Sequence, residues 1–180
     1  MFEDEFMGQK VRDKLKSLGQ NVKIYPLAKI TNPGMIEIGQ NTMIDDYTFI
    51  NGGRGVKIGK YVHVAAFSCI IGGGEIIIED YVVIGYGSRI VTGTDDYHEG
   101  KRMTTALPEE QRNVKRGFII IKKDAFIGTN VVVHPNVHIG EGAIIGSNSL
   151  VLKDIEPWTI NAGSPCHIIG SRPKISLDDL

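Results

Sequence analysis

A segment of the chain, residues 92–118, groups several side chains that could move a proton or bind a polar substrate. It reads TGTDDYHEGKRMTTALPEEQRNVKRGF and contains Asp95, Asp96, Tyr97 and His98. A histidine titrates near neutral pH, which suits it to take a proton from an attacking hydroxyl, and a neighbouring carboxylate or carbonyl can fix its tautomer. The segment therefore predicts general-base chemistry at His98, with a merely solvated loop histidine as the alternative.

The element that must position this segment is a repeat in which an isoleucine or valine returns every six residues. Three steps are eight residues long, and one step, from residue 90 to residue 121, is thirty-one residues long. Every third step is the long one, so all insertions fall at the same place in a unit of about twenty residues. The anchors are Ile30, Ile38, Ile44, Ile50, Ile58, Val64, Ile70, Ile78, Ile84, Ile90, Ile121, Ile127, Val133, Ile139, Ile145 and Val151.

This register predicts an all-β solenoid. Six residues suit one short β-rung and a corner, three rungs make a triangular coil, and coils stack about 4.8 Å apart through backbone hydrogen bonds. The sixteen anchors correspond to about five coils. In every six-residue step the residue four after the anchor is small, as a narrow interior requires. A β-sandwich would instead show alternation with irregular loops, which fits the sustained register poorly.

The repeat also divides the chain. We expect an N-terminal helical cap over residues 1–20, a solenoid domain over 21–156 and a C-terminal cap and tail over 157–180. Solenoids expose open edges at both ends, and a cap covers them. The helical spacing behind the first cap, with Gly19 as the stop, is that of Phe2, Phe6, Met7, Val11, Leu15 and Leu18.

Composition restricts the class of protein. The net charge of −1 provides no field for binding nucleic acid, and no apolar run approaches the roughly 18 residues needed to span a membrane. The opening MFEDEFMGQK is acidic where a signal peptide would be basic. Two cysteines, Cys69 and Cys166, do not form a CxxC motif. We therefore expect a cytoplasmic protein with reduced thiols.

Beyond the repeat, three stretches resemble the hexapeptide-repeat acyltransferases, and most closely the maltose and galactoside O-acetyltransferase group. They are VTGTDDYH, IIIKKDAFIGTNVVVHPNVHIGEGAIIGSNSLVLKDI and INAGSPCHIIG. The resemblance covers roughly residues 30–170. It implies a left-handed parallel β-helix, a homotrimer, acetyl-CoA bound between subunits without a metal, and acetyl transfer to a hydroxyl of a sugar or saccharide. In such a protein His98 would be the general base.

The resemblance also assigns the donor site. Small corner residues would let the pantetheine arm approach the backbone, although each of them could equally serve a tight turn. Those residues are Gly128, Thr129, Gly146, Ser147, Ala162 and Gly163. Lys153, Arg172 and Lys174 would meet the CoA phosphates. The family often has arginine where His167 stands, which leaves the phosphate contacts open.

On the acceptor side, the resemblance implies contacts from Asp95, Asp96, Tyr97 and Ser68. The galactoside group has an asparagine where this chain reads AAFS, residues 65–68, so the acceptor pocket differs. Further polar residues of an earlier coil could bind sugar hydroxyls or be solvated at corners, and we favour solvation. They are Asp45, Asp46 and Asn51.

Three alternatives remain. An N-acetyltransferase of a nucleotide-linked amino sugar shares fold and donor, and an amine needs less help from a base than a hydroxyl does. A zinc-dependent carbonic anhydrase would need His63, His134 and His138 to converge on one metal. However, His134 and His138 lie at opposite ends of one rung, roughly 13 Å apart. A purely structural solenoid does not explain the long insertion.

Overall fold

The computed structural model describes residues 5–98 and 100–176 and shows a left-handed parallel β-helix. Three sheets, A, B and C, form the sides of a triangular prism, and the chain visits them in the repeating order C, A, B. We name the corners by the sheets they join: corner CA, corner AB and corner BC. No helix within the described ranges has the length and apolar character needed to cross a lipid bilayer.

The three sheets stack one short strand per coil. Sheet A contains β1 (Glu5–Met7), β4 (Lys29–Thr31), β7 (Phe49–Asn51), β10 (Cys69–Ile71), β13 (Arg89–Val91), β18 (Val132–Val133) and β21 (Leu150–Val151). Sheet B contains β2 (Ser17–Leu18), β5 (Ile36–Ile38), β8 (Gly55–Ile58), β11 (Glu75–Ile78), β16 (Phe118–Ile121) and β19 (Val137–Ile139). Sheet C contains β3 (Lys23–Ile24), β6 (Met43–Ile44), β9 (His63–Val64), β12 (Val83–Ile84), β17 (Phe126–Ile127), β20 (Ile144–Ile145), β22 (Thr159–Gly163) and β23 (Cys166–Ser171). Pairing within the prism is parallel except at its two ends, where β1 and β23 run antiparallel to their neighbours.

The predicted anchors form the core. All sixteen are at most 2% exposed, and each stacks on the anchor of the next coil, as Ile44, Val64 and Ile84 do in sheet C. The small residues four positions later also point inward and are buried. Those with a hydroxyl donate it to a corner carbonyl, for example Ser88 Oγ to the Gly128 oxygen at 2.8 Å. The interior can therefore hold short polar side chains without leaving them unpaired.

The corners turn through residues in the left-handed backbone region. Asparagine occupies many of these positions, as expected for a residue that tolerates positive φ. Besides Trp158 in the last coil, four corners carry a bulky aromatic residue there: Tyr47, Phe67, Tyr61 and Tyr81. Such residues rarely adopt this conformation. They stack in pairs, Tyr47 on Phe67 with centroids 5.0 Å apart and Tyr61 on Tyr81 at 5.1 Å.

The insertions lie at corner AB, as the repeat predicts. The shorter ones connect sheets A and B in the lower coils, and one includes a 3₁₀ helix, Pro33–Met35. The long one leaves after β13 and returns at β16. Its base is a two-stranded antiparallel ladder of β14 (Gly93–Asp95) and β15 (Val114–Arg116), and its distal part includes the 3₁₀ helix Glu109–Gln111.

The N-terminal cap differs from the expected helix over 1–20. The helical part is a 3₁₀ helix over Gly8–Lys14, preceded by β1 and followed by β2. Phe2 lies outside the described residues. Val11 is fully buried and Leu15 and Leu18 pack against the core, so the apolar spacing did mark the covered face. The residues that flank the 3₁₀ helix pair with the open edges of sheets A and B as strands β1 and β2. Sheet A therefore contains seven strands among the described residues, more than the five predicted coils.

Close stacking of coils at corner CA leads to a stability prediction. A Cβ added at Gly128 would lie 2.7 Å from the Ser147 nitrogen and 2.7 Å from the Ile145 carbonyl oxygen. Because both are backbone atoms, Gly128→Ala must push two coils apart, and we expect it to destabilise the fold by about 1–3 kcal/mol. Urea unfolding at fixed protein concentration measures this.

The matched control is Gly34→Ala, because nothing lies within 4 Å of a Cβ added there. We expect its effect to stay within about 0.5 kcal/mol. Equal unfolding midpoints for the two variants would contradict the close packing of this corner.

Candidate active site

The long loop is held in place by ion pairs. Asp95, 8% exposed, accepts two hydrogen bonds from Arg112, from Nε to Oδ1 at 3.1 Å and from an Nη to Oδ2 at 2.6 Å. Arg116 forms a second two-point pair with Glu109. The Asp95–Arg112 pair ties the returning half of the loop to its outgoing half, and the Glu109–Arg116 pair lies within the returning half. The Asp95 carboxylate is therefore engaged within the loop, where the sequence analysis expected it to contact the acceptor.

The second carboxylate, Asp96, orders the turn that carries His98. It bonds Lys115, and its Oδ1 accepts the backbone N–H of His98 at 2.8 Å. The hydrogen bond from Lys115 and the one from the His98 backbone lower the pKa of Asp96, so this carboxylate stays ionised at neutral pH. Asp96 thus fixes the His98 backbone, and its expected contact with the acceptor stays a prediction.

His98 itself lies exposed near the outer part of the loop. Its ring contacts Tyr97 with centroids 4.5 Å apart and planes 38° apart, and Tyr97 is 69% exposed. An exposed imidazole next to an exposed phenol can meet a ligand that approaches from solvent or from a neighbouring chain. The predicted role of His98 as a base stays a prediction, with the ring accessible and the backbone beneath it ordered.

Three of the predicted donor residues, Gly128, Gly146 and Ala162, lie in one column at corner CA, and this column also contains Gly85, which the sequence analysis did not single out. Gly85, Gly128, Gly146 and Ala162 follow the sheet C anchors of successive coils, and their backbones are hydrogen-bonded in sequence, as Gly128 N to Ile145 O at 2.8 Å illustrates. A Cβ added at Gly146 would stand 3.0 Å from the Ala162 Cβ. The glycines therefore serve the stacking: Gly85 and Gly128 are buried, whereas Gly146 and Ala162 are partly exposed. We call this column the strip.

Exposed polar residues border this strip. Thr129 and Ser147 occupy the next position of their coils, and the Thr129 N–H donates to Ser147 Oγ at 3.2 Å. Ser149, inside the prism, accepts the Gly163 N–H at 3.1 Å and so attaches the last predicted donor residue to the column. An extended chain with amide groups could lie along this strip, beside the exposed hydroxyls.

A cavity of about 290 Å³ adjoins the upper end of the column. Lys153 and His167 line it together with Asp154 and Cys166. His167 pairs with Ala162 across β22 and β23, which places the cavity directly beside the strip. Burial raises the pKa of the Cys166 thiol, so that side chain is neutral. A lysine and a histidine at this end could meet an anionic group of the donor.

Arg172 and Lys174 do not reach this cavity within one chain. Strand β23 runs antiparallel to β22 and carries the chain back across sheet C, so the residues after Ser171 arrive at corner BC. There Arg172 donates to the Asp124 and Gly142 oxygens, at 2.9 and 3.2 Å, and lies over the Trp158 ring. Their predicted contact with the donor phosphates is not supported by the fold of a single chain.

Ser68 is also placed differently from the acceptor-binding role expected of it. It is 1% exposed and points into the prism, where its Oγ donates to the Gly85 oxygen at 2.9 Å. The reason is its register: Ser68 is the small inward residue that follows anchor Val64 by four positions. It stabilises the coil, and the acceptor pocket must use other residues.

The sequence analysis did not predict that two polar residues on sheet C, His63 and Asp45, contact each other. His63 Nε2 lies 3.0 Å from Asp45 Oδ2. The two residues were considered separately, His63 for a metal and Asp45 for sugar binding, because they are 18 residues apart whereas the coil repeat is 20. The signal was that one precedes and the other follows a sheet C anchor in adjacent coils. Asp46 is used at its corner, where Oδ1 accepts the Leu27 N–H at 2.7 Å.

The described residues contain no group of three or more histidine, cysteine, aspartate or glutamate side chains that could hold a metal ion. Of the three histidines considered for zinc, His63 contacts Asp45 and His138 lies against Asp154 and the Phe118 ring. These histidines thus lie in separate contacts on different sheets.

Comparison with known proteins agrees with this fold. Residues 118–153 match the family model described as bacterial transferase hexapeptide, six repeats. The dTDP-4-amino-4,6-dideoxy-D-glucose acyltransferase of Escherichia coli is 38% identical over 93 residues, 51% of this chain and 48% of that protein. The galactoside O-acetyltransferase of Escherichia coli K12 is 45% identical over 51 residues, 28% of this chain and 25% of that protein. The chain thus aligns with about half or less of the length of these curated relatives.

A solved structure matches nearly the whole chain. AntD, an N-acyltransferase from Bacillus cereus solved in complex with dTDP and 3-hydroxybutyryl-CoA, superposes with a TM-score of 0.84 at 34% identity. The match covers 93% of this chain and 90% of AntD. Identity of this extent, together with the stacked repeat and its single long insertion, shows that the chain belongs to the hexapeptide-repeat acyltransferase family.

Proposed function

We propose that the chain is an acyl-CoA-dependent N-acyltransferase whose acceptor is an amino sugar linked to a nucleoside diphosphate. The similarity to AntD carries this proposal, because it extends over 93% of the chain. It therefore includes much more than the repeats at residues 118–153 that match the family model. The relative from Escherichia coli that is 38% identical is named for a dTDP-linked amino sugar. This acceptor class therefore ranks ahead of the sugar hydroxyl that the sequence led us to expect.

The strip at corner CA supports a CoA thioester as the donor. An extended pantetheine arm needs a narrow surface where its amides can meet polar groups, and the exposed residues Thr129 and Ser147 beside the strip provide such groups. Its anionic end would lie at the cavity that Lys153 and His167 line. The reacting end would then point down the column toward the lower coils.

An amine acceptor also fits the environment of His98. Among the described residues neither Asp95 nor Asp96 bonds the His98 ring, because Arg112 and the His98 backbone hold their oxygens. A base without such support is weakly activated, and an unprotonated amine attacks a thioester with less help than a hydroxyl requires.

The test of the proposal is a comparison of acceptors with acetyl-CoA as donor. We expect dTDP-4-amino-4,6-dideoxyglucose to release free CoA thiol and to gain an acetyl group on nitrogen, as seen by mass spectrometry and by resistance of the amide to mild alkali. A galactoside supplied at the same concentration serves as the hydroxyl control. Acetylation of the galactoside alone would contradict N-acylation.

The second candidate is O-acetylation of a sugar hydroxyl, with His98 as the general base. The galactoside O-acetyltransferase similarity and the exposed histidine of the loop favour it. Here a hydroxyl must lose its proton as it attacks the thioester, so the base contributes more to the rate than it does with an amine. Asp96 would contribute by fixing the backbone of the turn.

His98→Ala separates the two candidates by the size of its effect. If a hydroxyl is the acceptor, loss of the base should lower kcat by about 10² to 10⁴ with acetyl-CoA affinity unchanged. For the amine acceptor we expect a loss below about tenfold, which is smaller than that range. His134→Ala, which removes a histidine outside residues 92–118, is the control. A loss of a hundredfold or more with the amine would contradict the secondary role that we give His98.

We further propose that three chains assemble into a homotrimer. The prism exposes apolar side chains on its outer faces, including Phe126 at 43%, Leu152 at 46% and Ile168 at 56% exposure. Contiguous exposed apolar surface marks protein contacts, and a neighbouring chain could close the site between loop and column. Light scattering should give a mass of about three chains, and a mass near the 19.7 kDa of one chain would contradict assembly.

A further inference from the structure

The pair of His63 and Asp45 is built more tightly than any comparable pair in the described part of the chain. Nε2 and Oδ2 are 3.0 Å apart, and the side chains are 30% and 19% exposed. The other histidine near an aspartate, His138 with Asp154, is separated by 3.5 Å and is 44% and 63% exposed. A half-buried, hydrogen-bonded pair on a rigid sheet holds its ring orientation, whereas an exposed pair does not.

The pair lies on the same column as the donor strip. Asp45 and Ala65 precede Gly85 in the series that follows the sheet C anchors, and their backbone bonds continue it: Asp45 N to Val64 O at 3.0 Å and Ala65 N to Ile84 O at 2.9 Å. With coils about 4.8 Å apart, Asp45 is about 10 Å below Gly85. A thioester arm on the strip would therefore end next to this pair.

An aromatic surface adjoins the pair at the same corner. Tyr47 and Phe67 stack with planes 5° apart and are 57% and 60% exposed. Tyr47 follows Asp45 by two residues, and Phe67 follows His63 by four. Both adopt the left-handed backbone conformation that asparagine adopts at the same corner of later coils, at Asn130 and Asn148. Two flat rings at the surface suit the ring of a nucleobase or sugar, which would bring the acceptor to the pair.

We propose that His63, positioned by Asp45, takes the proton from the acceptor amine during acyl transfer, an inference that rests on the proposed N-acyltransferase function. The Asp45 carboxylate accepts the Nε2–H of His63, which leaves Nδ1 with a free lone pair. The amine nitrogen attacks the thioester carbonyl carbon, the carbon–sulfur bond breaks, and the CoA thiolate leaves. The proton lost by the nitrogen passes to His63 Nδ1 and then to the thiolate. Amide and free CoA thiol are the products, and His63 is neutral again.

The surroundings favour this role. The residues paired with His63 in the adjacent strands are Met43 and Val83, which carry no charge. The charged residue that contacts the His63 ring is Asp45. The outer residue two coils below, Lys23, stands in the same row as Met43 and His63 but is separated from the ring by Met43. The carboxylate therefore determines which ring nitrogen holds the proton.

The experiment compares His63→Asn and Asp45→Asn with the wild type, using acetyl-CoA and dTDP-4-amino-4,6-dideoxyglucose. We expect His63→Asn to lower kcat about a hundredfold, the lower bound for a positioned base, with KM for acetyl-CoA unchanged. Asp45→Asn, which acts through His63, should cost about tenfold. Both variants should keep the wild-type KM for acetyl-CoA, because they change proton transfer and not donor binding, whereas a merely structural role would disturb KM together with kcat.

His138→Asn is the matched control, since it removes a histidine beside an aspartate on another face, and we expect it to keep the wild-type kcat. Thermal unfolding confirms that each variant is folded. If His63→Asn keeps more than about a tenth of kcat at neutral pH, the role of His63 is wrong while the proposed function stands. If the wild type forms no amide with this acceptor, the proposed function is contradicted and the inference falls with it.

Discussion

The structure depends on the backbone hydrogen bonds that join each coil to the next. Parallel strands two to four residues long pair in register through the whole prism, and this register aligns every anchor with the anchor one coil away. The branched anchors fill the narrow interior and are at most 2% exposed. Because the interior has no room for inserted residues, extra chain can leave the prism only at a corner. The same register sorts outward side chains into columns that run the length of the molecule.

These columns determine where chemistry can occur. Corner CA carries the small residues from Gly85 to Ala162, and corner AB carries the long loop with His98. Both corners border sheet A, whose strands of two or three residues make it about 10 Å wide. Corner BC, with Arg172 and Trp158, is at the far edge of sheet C. Donor strip and loop thus share one face of the prism, and the polar pair of His63 and Asp45 continues the strip downward.

The sequence predicted the repeating part of the fold because each anchor is constrained by branched aliphatic anchors above and below, as Ile84 is by Ile127 and Val64. It failed where the chain leaves the repeat. The apolar spacing of Val11 and Leu15 marked a buried face, but it could not distinguish an α-helix from a 3₁₀ helix between two edge strands. Likewise, Arg172 lies at corner BC because β23 runs antiparallel to β22, and the local composition gives no signal for this change of direction.

The candidate site was predictable to a similar degree. The corner glycines could be located because the register fixes their column. Lys153 was proposed from the family resemblance, since it follows Val151, an anchor of sheet A, and so lies outside that column. The partners of Asp95 and Asp96 were not predictable, since Arg112 and Lys115 come from the returning half of a loop that follows no repeat. His63 and Asp45 meet diagonally between adjacent coils, which a strict twenty-residue comparison does not detect.

The most direct test of this account is a crystal structure with CoA and dTDP bound. We predict that the pantetheine arm follows the column from Ala162 toward Gly85, with phosphate oxygens within hydrogen-bonding distance of Lys153. The sulfur should lie at the lower end of the strip, on the side of His63. CoA phosphates bound to Arg172 and Lys174 at corner BC, with no ligand along the column, would contradict the account.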